Sequence, residues 1–190
     1  MAETTMVIVV AVFLILAFIL YAVLVFNSLI RLKVNIGKAW ANIDVLLKQR
    51  HDEVPNLIAV VEGYKDFERR ILTELTQART AALGADTVPE KAQTQQALTG
   101  VLNRLFAVAE NYPQLKAQQN FLMLQKRLSE LESEISDRRS FYNDSVAVYN
   151  TRIAQFPDVL LARAMGLIPR DSFKVAEGEK ETVQVGFAGS

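Results

Sequence analysis

Residues 6–26 (MVIVVAVFLILAFILYAVLVF) contain neither a charge nor an amide. Coiled as a helix at 1.5 Å per residue, such a run is about 30 Å long, the thickness of a bilayer's hydrocarbon core. A cleaved secretory leader needs a basic start, a shorter apolar stretch and a small-residue cleavage site. Here the residues ahead are MAETT, acidic at Glu3 and without Lys or Arg, and no A-x-A directly follows the run, where NSLIRLKVNIGK stands. The run therefore reads as a retained transmembrane anchor. Arg31, Lys33, Lys38, Lys48 and Arg50 come after it. Basic residues stay on the cytoplasmic side, so the expectation is a single pass with residues 1–5 outside and the remainder in the cytoplasm.

The chain beyond the anchor is patterned for helices. Asn27 and Ser28 can cap a new helix, yet the apolar pattern resumes at once, so a continuous and a broken helix both stand. From Ile36 the steps alternate 3-4 through Trp40, Ile43, Leu47, Arg50, Val54, Leu57, Val61, Tyr64, Glu68, Ile71, Leu75 and Ala78. That is the spacing of left-handed helix packing. Pro55 lies inside this run and is expected to kink it, because it lacks an N–H and crowds the preceding turn. The turn composition of residues 84–90 (GADTVPE) ends the first long helix. A second helix is expected over 91–111, with Leu98, Val101, Leu102, Leu105, Val108 and Ala109 as its apolar face. Tyr112-Pro113 breaks it. A third is expected over 114–155, with a seam of Phe121, Leu124, Leu128, Leu131, Ile135, Arg138, Tyr142, Val146, Tyr149 and Ile153. After the turn at 156–158 comes a short helix over 159–165. Residues 168–190 change to a mostly extended tail, with a short strand over 182–187 as an option.

Each helix carries one apolar stripe, so none can bury it alone. The expected fold is all-α: one N-terminal transmembrane helix, then an antiparallel four-helix bundle of two long helices, one medium and one short. The domain boundaries are 1–5 outside, 6–30 for the membrane helix, 31–167 for the bundle and 168–190 for the tail.

Composition and motifs exclude most chemistry. With 21 basic and 21 acidic residues the net charge is zero, which argues against phosphate-driven nucleic-acid binding. With no cysteine there is no disulfide, thiolate metal site or cysteine nucleophile. A di-iron site in a bundle needs Glu-x-x-His twice, and the only histidine is His51, in QRHDE. H-E-x-x-H zinc chemistry fails for the same reason. His51 lies one step off the seam and reads as a solvated helix-face residue. Neither a G-x-S-x-G elbow nor a phosphate loop occurs. Glu130, Glu132, Glu134 and Asp137 read as an exposed charged face paired with Lys126, Arg127 and Arg139. No catalytic residue, cofactor or metal is expected.

The seams do hold three unusual charges, Arg50, Glu68 and Arg138. Buried charges need partners, so these read as an ion-pair network that sets helix register, or else as a patch where the seam opens to a partner. Four aromatic residues outside the seams, Phe106, Phe141, Phe173 and Phe187, are candidates for self-association, since a bundle rarely leaves several large apolar groups uncovered.

Three blocks carry a resemblance. They are AWANIDVLLKQRHDEVPNL at 39–57, with Gly63-Tyr64 and Glu68 after it; ENYPQLKAQQNFLMLQ at 110–125; and YNDSVAVYNT at 142–151, with Phe156-Pro157 after it. In this order they resemble the LemA family of bacterial membrane proteins, over essentially the whole chain. Phe67 departs from a position that is usually polar in that family, and bears on one surface site. The resemblance implies a short external N-terminus, one span of the inner membrane and a cytoplasmic helical bundle, and carries over no catalytic residue. The functional expectation is a non-enzymatic scaffold or interaction protein. Its partners would be the bilayer and further copies of itself. The alternative is an accessory or regulatory subunit of a membrane enzyme or transporter.

Overall fold

The computed structural model describes residues 1–64 and 67–174. It is helical throughout, in the order α1 (Ala2–Glu62), α2 (Arg69–Leu83), α3 (Val88–Ala109), α4 (Pro113–Lys116), α5 (Gln119–Ala154) and α6 (Asp158–Ala164). No strand occurs among the described residues. The apolar run and the first bundle helix are one element: α1 has 61 residues and passes Asn27, Ser28 and Pro55 without interruption. At 1.5 Å per residue it is about 90 Å long. Its N-terminal part is long and apolar enough to cross a membrane, and none of its most apolar 18-residue window is buried.

The first helix ends earlier than its 3-4 pattern suggests. It stops at Glu62, and Gly63 begins the connection to α2. The seam expected as one helix up to Ala78 is therefore divided between α1 and α2, with Ile71 and Leu75 buried from the second of them. The third expected helix is likewise preceded by a separate single turn, α4, whose Leu115 is fully buried. α3 starts three residues before its expected position because its N-terminus is closed by a capping box. Glu90 N donates to Thr87 Oγ1 at 3.3 Å, and Thr87 N donates to Glu90 Oε2 at 3.1 Å. Pro89 sits in the first turn, where its missing N–H costs nothing.

Cross-helix contacts set the directions. Trp40 faces Tyr142 with ring centroids 5.4 Å apart, and ten residues later Arg50 faces Glu132, ten residues earlier on α5. α1 and α5 are therefore antiparallel. Lys91 pairs with Asp44 and Gln95 contacts His51, which makes α3 run parallel to α1. α2 returns between them, tied to α3 by Arg104 on Glu74 at 2.6 Å. The bundle is thus four-helical only at its far end.

Two apolar clusters result. The far one joins Val54, Leu57 and Val61 of α1 to Leu75, Leu98, Leu105, Leu115 and Phe121. The near one joins Val25, Leu29, Ile36, Ile43 and Leu47 to Leu131, Ile135, Tyr142, Val146, Tyr149 and Phe173. The described part of the tail, 168–174, folds back along α5. Asn150 Nδ2 donates to the Arg170 carbonyl and its Oδ1 accepts from Arg170 N, both at 2.9 Å. Asn143 Oδ1 accepts from Phe173 N at 2.7 Å, and the Tyr142 hydroxyl donates to the Asp171 carbonyl at 2.9 Å. Gly166, with φ of +62°, makes the turn into this segment, a backbone conformation that a Cβ disfavours. The strand option at 182–187 lies outside the described residues.

Candidate functional site

The two apolar clusters are separated by a polar layer. On α1 it occupies Arg50 and His51, between Leu47 of the near cluster and Val54 of the far one. On α3 it occupies Gln95 and Thr99, and on α5 Glu132. Helix α1 places Arg50 there because the 3-4 pattern turns this position inward, with its side chain buried among three helices. The guanidinium meets Glu132 Oε2 at 2.7 Å through one terminal nitrogen, and the other donates to Thr99 Oγ1 at 2.6 Å. Thr99 Oγ1 lies 3.1 Å from Glu132 Oε2 and 3.0 Å from the Gln95 carbonyl, either of which can accept its single proton. Burial pushes the Arg50 guanidinium below its ordinary value, while the Glu132 carboxylate works in the opposite direction.

His51, which the seam phase puts in solvent, is buried. A helix with neighbours on two flanks buries a stripe wider than the seam, and α3 covers the His51 flank. The Gln95 amide nitrogen stands 2.8 Å from His51 Nε2, and Arg79 Nε donates to the His51 carbonyl at 2.9 Å. With the amide nitrogen facing it, that ring nitrogen is an acceptor and the ring proton belongs on Nδ1. Burial first, then the nearby Arg50 and Arg79 charges, holds the imidazole below its usual range.

The other seam charges do not join this layer. Glu68 is exposed at the N-cap of α2, because the chain leaves the helix at Gly63 and the 3-4 phase is lost before it. Arg138 is exposed as well. Beyond the polar layer α5 packs against α1 and the returning tail, and its covered stripe turns to Ile135, Arg139 and Tyr142. Arg139 lies 5.2 Å from the Phe173 ring centroid, a cation–π contact. Two partners of Arg50, Thr99 and Glu132, escape sequence reasoning. Glu132 sits in an acidic run next to Leu131, and only the α1–α5 register, set by Trp40 on Tyr142, points it at Arg50.

The aromatic candidates divide. Phe141 is exposed on α5. Phe173 is fully buried against Trp40, centroids 5.7 Å apart, because the tail folds back, so it offers nothing to a second copy. Phe106 is half-buried, edge-on to Phe121 at 6.2 Å. Phe187 lies outside the described residues. Phe67 is not a surface residue: it is buried and packs on Tyr112 at 5.1 Å.

Chemically, the polar layer pairs its buried charge: the carboxylate meets the guanidinium and the imidazole meets an amide, while Arg50 Nε and Gln95 Oε1 have no hydrogen-bond partner among the described residues. A cleft of about 170 Å³ opens beside it, lined by Arg50, Thr99, Asn103, Phe106, Ser129 and Glu132 among others. A second cleft, about 580 Å³, lies at the far tip by Tyr64, Phe67 and Arg69. The hydroxyls of its Thr73 and Thr76 are bonded to carbonyls of their own helix, at 3.0 and 2.9 Å. Among the described residues no group of three His, Asp or Glu side chains is placed to hold a metal ion.

The family model described as LemA family matches residues 39–187. Protein LemA of Metamycoplasma hominis is 31% identical over 161 residues, covering 83% of this chain and 72% of that protein. The match begins at Ala39, inside α1, and takes in Arg50, the polar layer and the returning tail. The chain belongs to the LemA family.

Proposed function

We propose that this protein is a membrane-anchored, non-enzymatic interaction protein whose bundles associate with one another at the cytoplasmic face of the inner membrane. The observation that carries the reading is α1. One uninterrupted helix holds both the exposed apolar run and the buried seam of the bundle. A rigid joint of this kind fixes the height and tilt of the bundle over the membrane. Confinement to a surface raises the effective concentration of identical copies, so weak lateral contacts sum to strong avidity. The basic residues after the apolar run, Arg31, Lys33, Lys38 and Lys48, favour the cytoplasmic orientation. Arg50 is spent inside the bundle. For the lateral contact, Phe141 and Val148 are both exposed and stand seven residues apart on one face of α5.

The test compares the full-length protein in mild detergent with Phe141→Ser/Val148→Ser, by light scattering at several concentrations and by crosslinking in native membranes. The expected result is a discrete homo-oligomer that the double substitution weakens. A strictly monomeric full-length protein that crosslinks to no copy of itself overturns the self-association. If that monomer co-purifies with one other membrane protein, the accessory-subunit role takes its place.

A further inference from the structure

Helix α6 lies beside the apolar run of α1, not beyond its end. Leu161 and the α1 residues Phe18, Ile19, Ala22, Val23 and Phe26 together line an open apolar groove. The Tyr21 hydroxyl donates to Asp158 Oδ1 at 3.4 Å. Ala22 precedes Phe26, the last residue of the run, by four positions, so α6 sits about 6 Å inside the apolar end. Two outward-facing side chains here are apolar: Phe156, which lines a cleft with Tyr21 and Leu24, is 81% exposed, and Leu160 of α6 is 62% exposed. The negative charge of α6 is buried and answered, with Asp158 Oδ2 lying 2.7 Å from Arg152 Nε.

We infer that α6 and the turn before it form a membrane-dipping element, with Phe156 and Leu160 sunk into the boundary between headgroups and acyl chains alongside α1. The inference rests on the reading that α1 spans the bilayer. Lipid is the occupant because of continuity. A bilayer that covers residues 6–26 reaches the depth at which Leu161 meets α1, so the uncovered side of α6 meets the same medium. Interfacial apolar elements settle about 5–10 Å into that boundary, which matches the depth read from the helix rise. If the bilayer ended before Tyr21, residues 6–20 would supply only about 22 Å of helix, well short of the hydrocarbon core. Leu24 and Phe26, both exposed, would then stand in water. Arg163, exposed on α6, can keep its guanidinium at headgroup level by extending its stem. The anchor is then not a single rod. The bundle stands on the membrane at two points, α1 and α6, and the second prevents rotation about the first.

The chain has no cysteine, so single-cysteine variants carry a spin label without background. Leu14→Cys, Phe156→Cys, Leu160→Cys and Met123→Cys all replace exposed side chains. Each full-length protein is reconstituted into phosphatidylcholine–phosphatidylglycerol vesicles and probed with oxygen, which partitions into lipid, and with a nickel chelate, which stays in water. The expected result groups Phe156→Cys and Leu160→Cys with Leu14→Cys, relaxed by oxygen and shielded from nickel, and leaves Met123→Cys open to nickel. If the labels at 156 and 160 behave like the one at 123 while the one at 14 stays in lipid, α6 lies in water and the inference falls with the anchor intact. Nickel access at 14 as well overturns the spanning reading itself. Strong spin–spin broadening at 160, with access to neither reagent, would put a second copy there and also overturn the inference.

Discussion

Removing Glu132 is expected to harm the bundle more than removing Arg50, because only one of the two charges has water as an alternative partner. Arg50 is 2% exposed, and without Glu132 its guanidinium keeps only the Thr99 hydroxyl as a partner, with Nε already lacking an acceptor among the described residues. Breaking a fully buried pair from one side costs about 3–5 kcal/mol. Glu132 is 38% exposed, so water reaches the vacated position and the cost of Glu132→Ala falls to about 2–3 kcal/mol. Arg50→Met leaves the reverse situation. The Glu132 carboxylate can turn to solvent, and the thioether fills the layer between Leu47 and Val54, so the cost is expected within about 1 kcal/mol. In a domain of this size 1 kcal/mol moves Tm by roughly 2–4 °C, so Glu132→Ala should melt about 4–12 °C below the parent. The assay is thermal and urea unfolding of the full-length protein in detergent, monitored by circular dichroism, for both single variants and for Arg50→Met/Glu132→Gln. The double variant should recover most of what Glu132→Ala loses. Arg50→Met costing more than Glu132→Ala, or both falling within experimental error of the parent, would refute the claim that a buried guanidinium is being neutralised here.

Two further outcomes test the surroundings of the layer. Below the ordinary imidazole value of about 6.5 the unfolded chain binds a proton that folded His51 resists. Stability is therefore full above that value and declines as pH falls from it toward the lowered folded value; His51→Gln should flatten this part of a Tm–pH profile, and an unchanged slope would show that His51 is free to protonate in place. Asn143 holds Phe173 through two backbone contacts, so Asn143→Ala should cost about 1–2 kcal/mol locally and speed tryptic cleavage at Arg170, with little change in the global melt. Cleavage at the parental rate would mean that Phe173 is held by its rings alone.

Features that depend on one stretch of chain are legible in the order of the amino acids. The run 6–26 needs only its composition to be read as long and apolar enough to cross a membrane. The 3-4 spacing through Val54, Leu57, Val61, Leu124, Leu128 and Leu131 names buried residues, because a helix repeats at 3.6 residues whatever it packs against. Turn chemistry at 84–90 and at Tyr112-Pro113 marks two of the breaks. Features that require two distant stretches to meet come from the three-dimensional arrangement instead. The 3-4 pattern runs straight through Gly63, and only the return of α2 onto α3 shows that the helix ends there. Arg50 and Arg138 occupy equivalent seam positions, yet three helices enclose the first and leave the second in water. His51 is off the seam and buried, because α3 widens the stripe that α1 must cover. Glu132 sits in an acidic run and becomes the counter-ion of Arg50 through the antiparallel register alone. Phe173 belongs to a segment with no helical pattern, yet two asparagines on α5 fold it into the core. A periodicity records how one helix turns about its own axis; which side chains share a buried layer depends on the register and enclosure of helices far apart in the chain, and no local repeat encodes that.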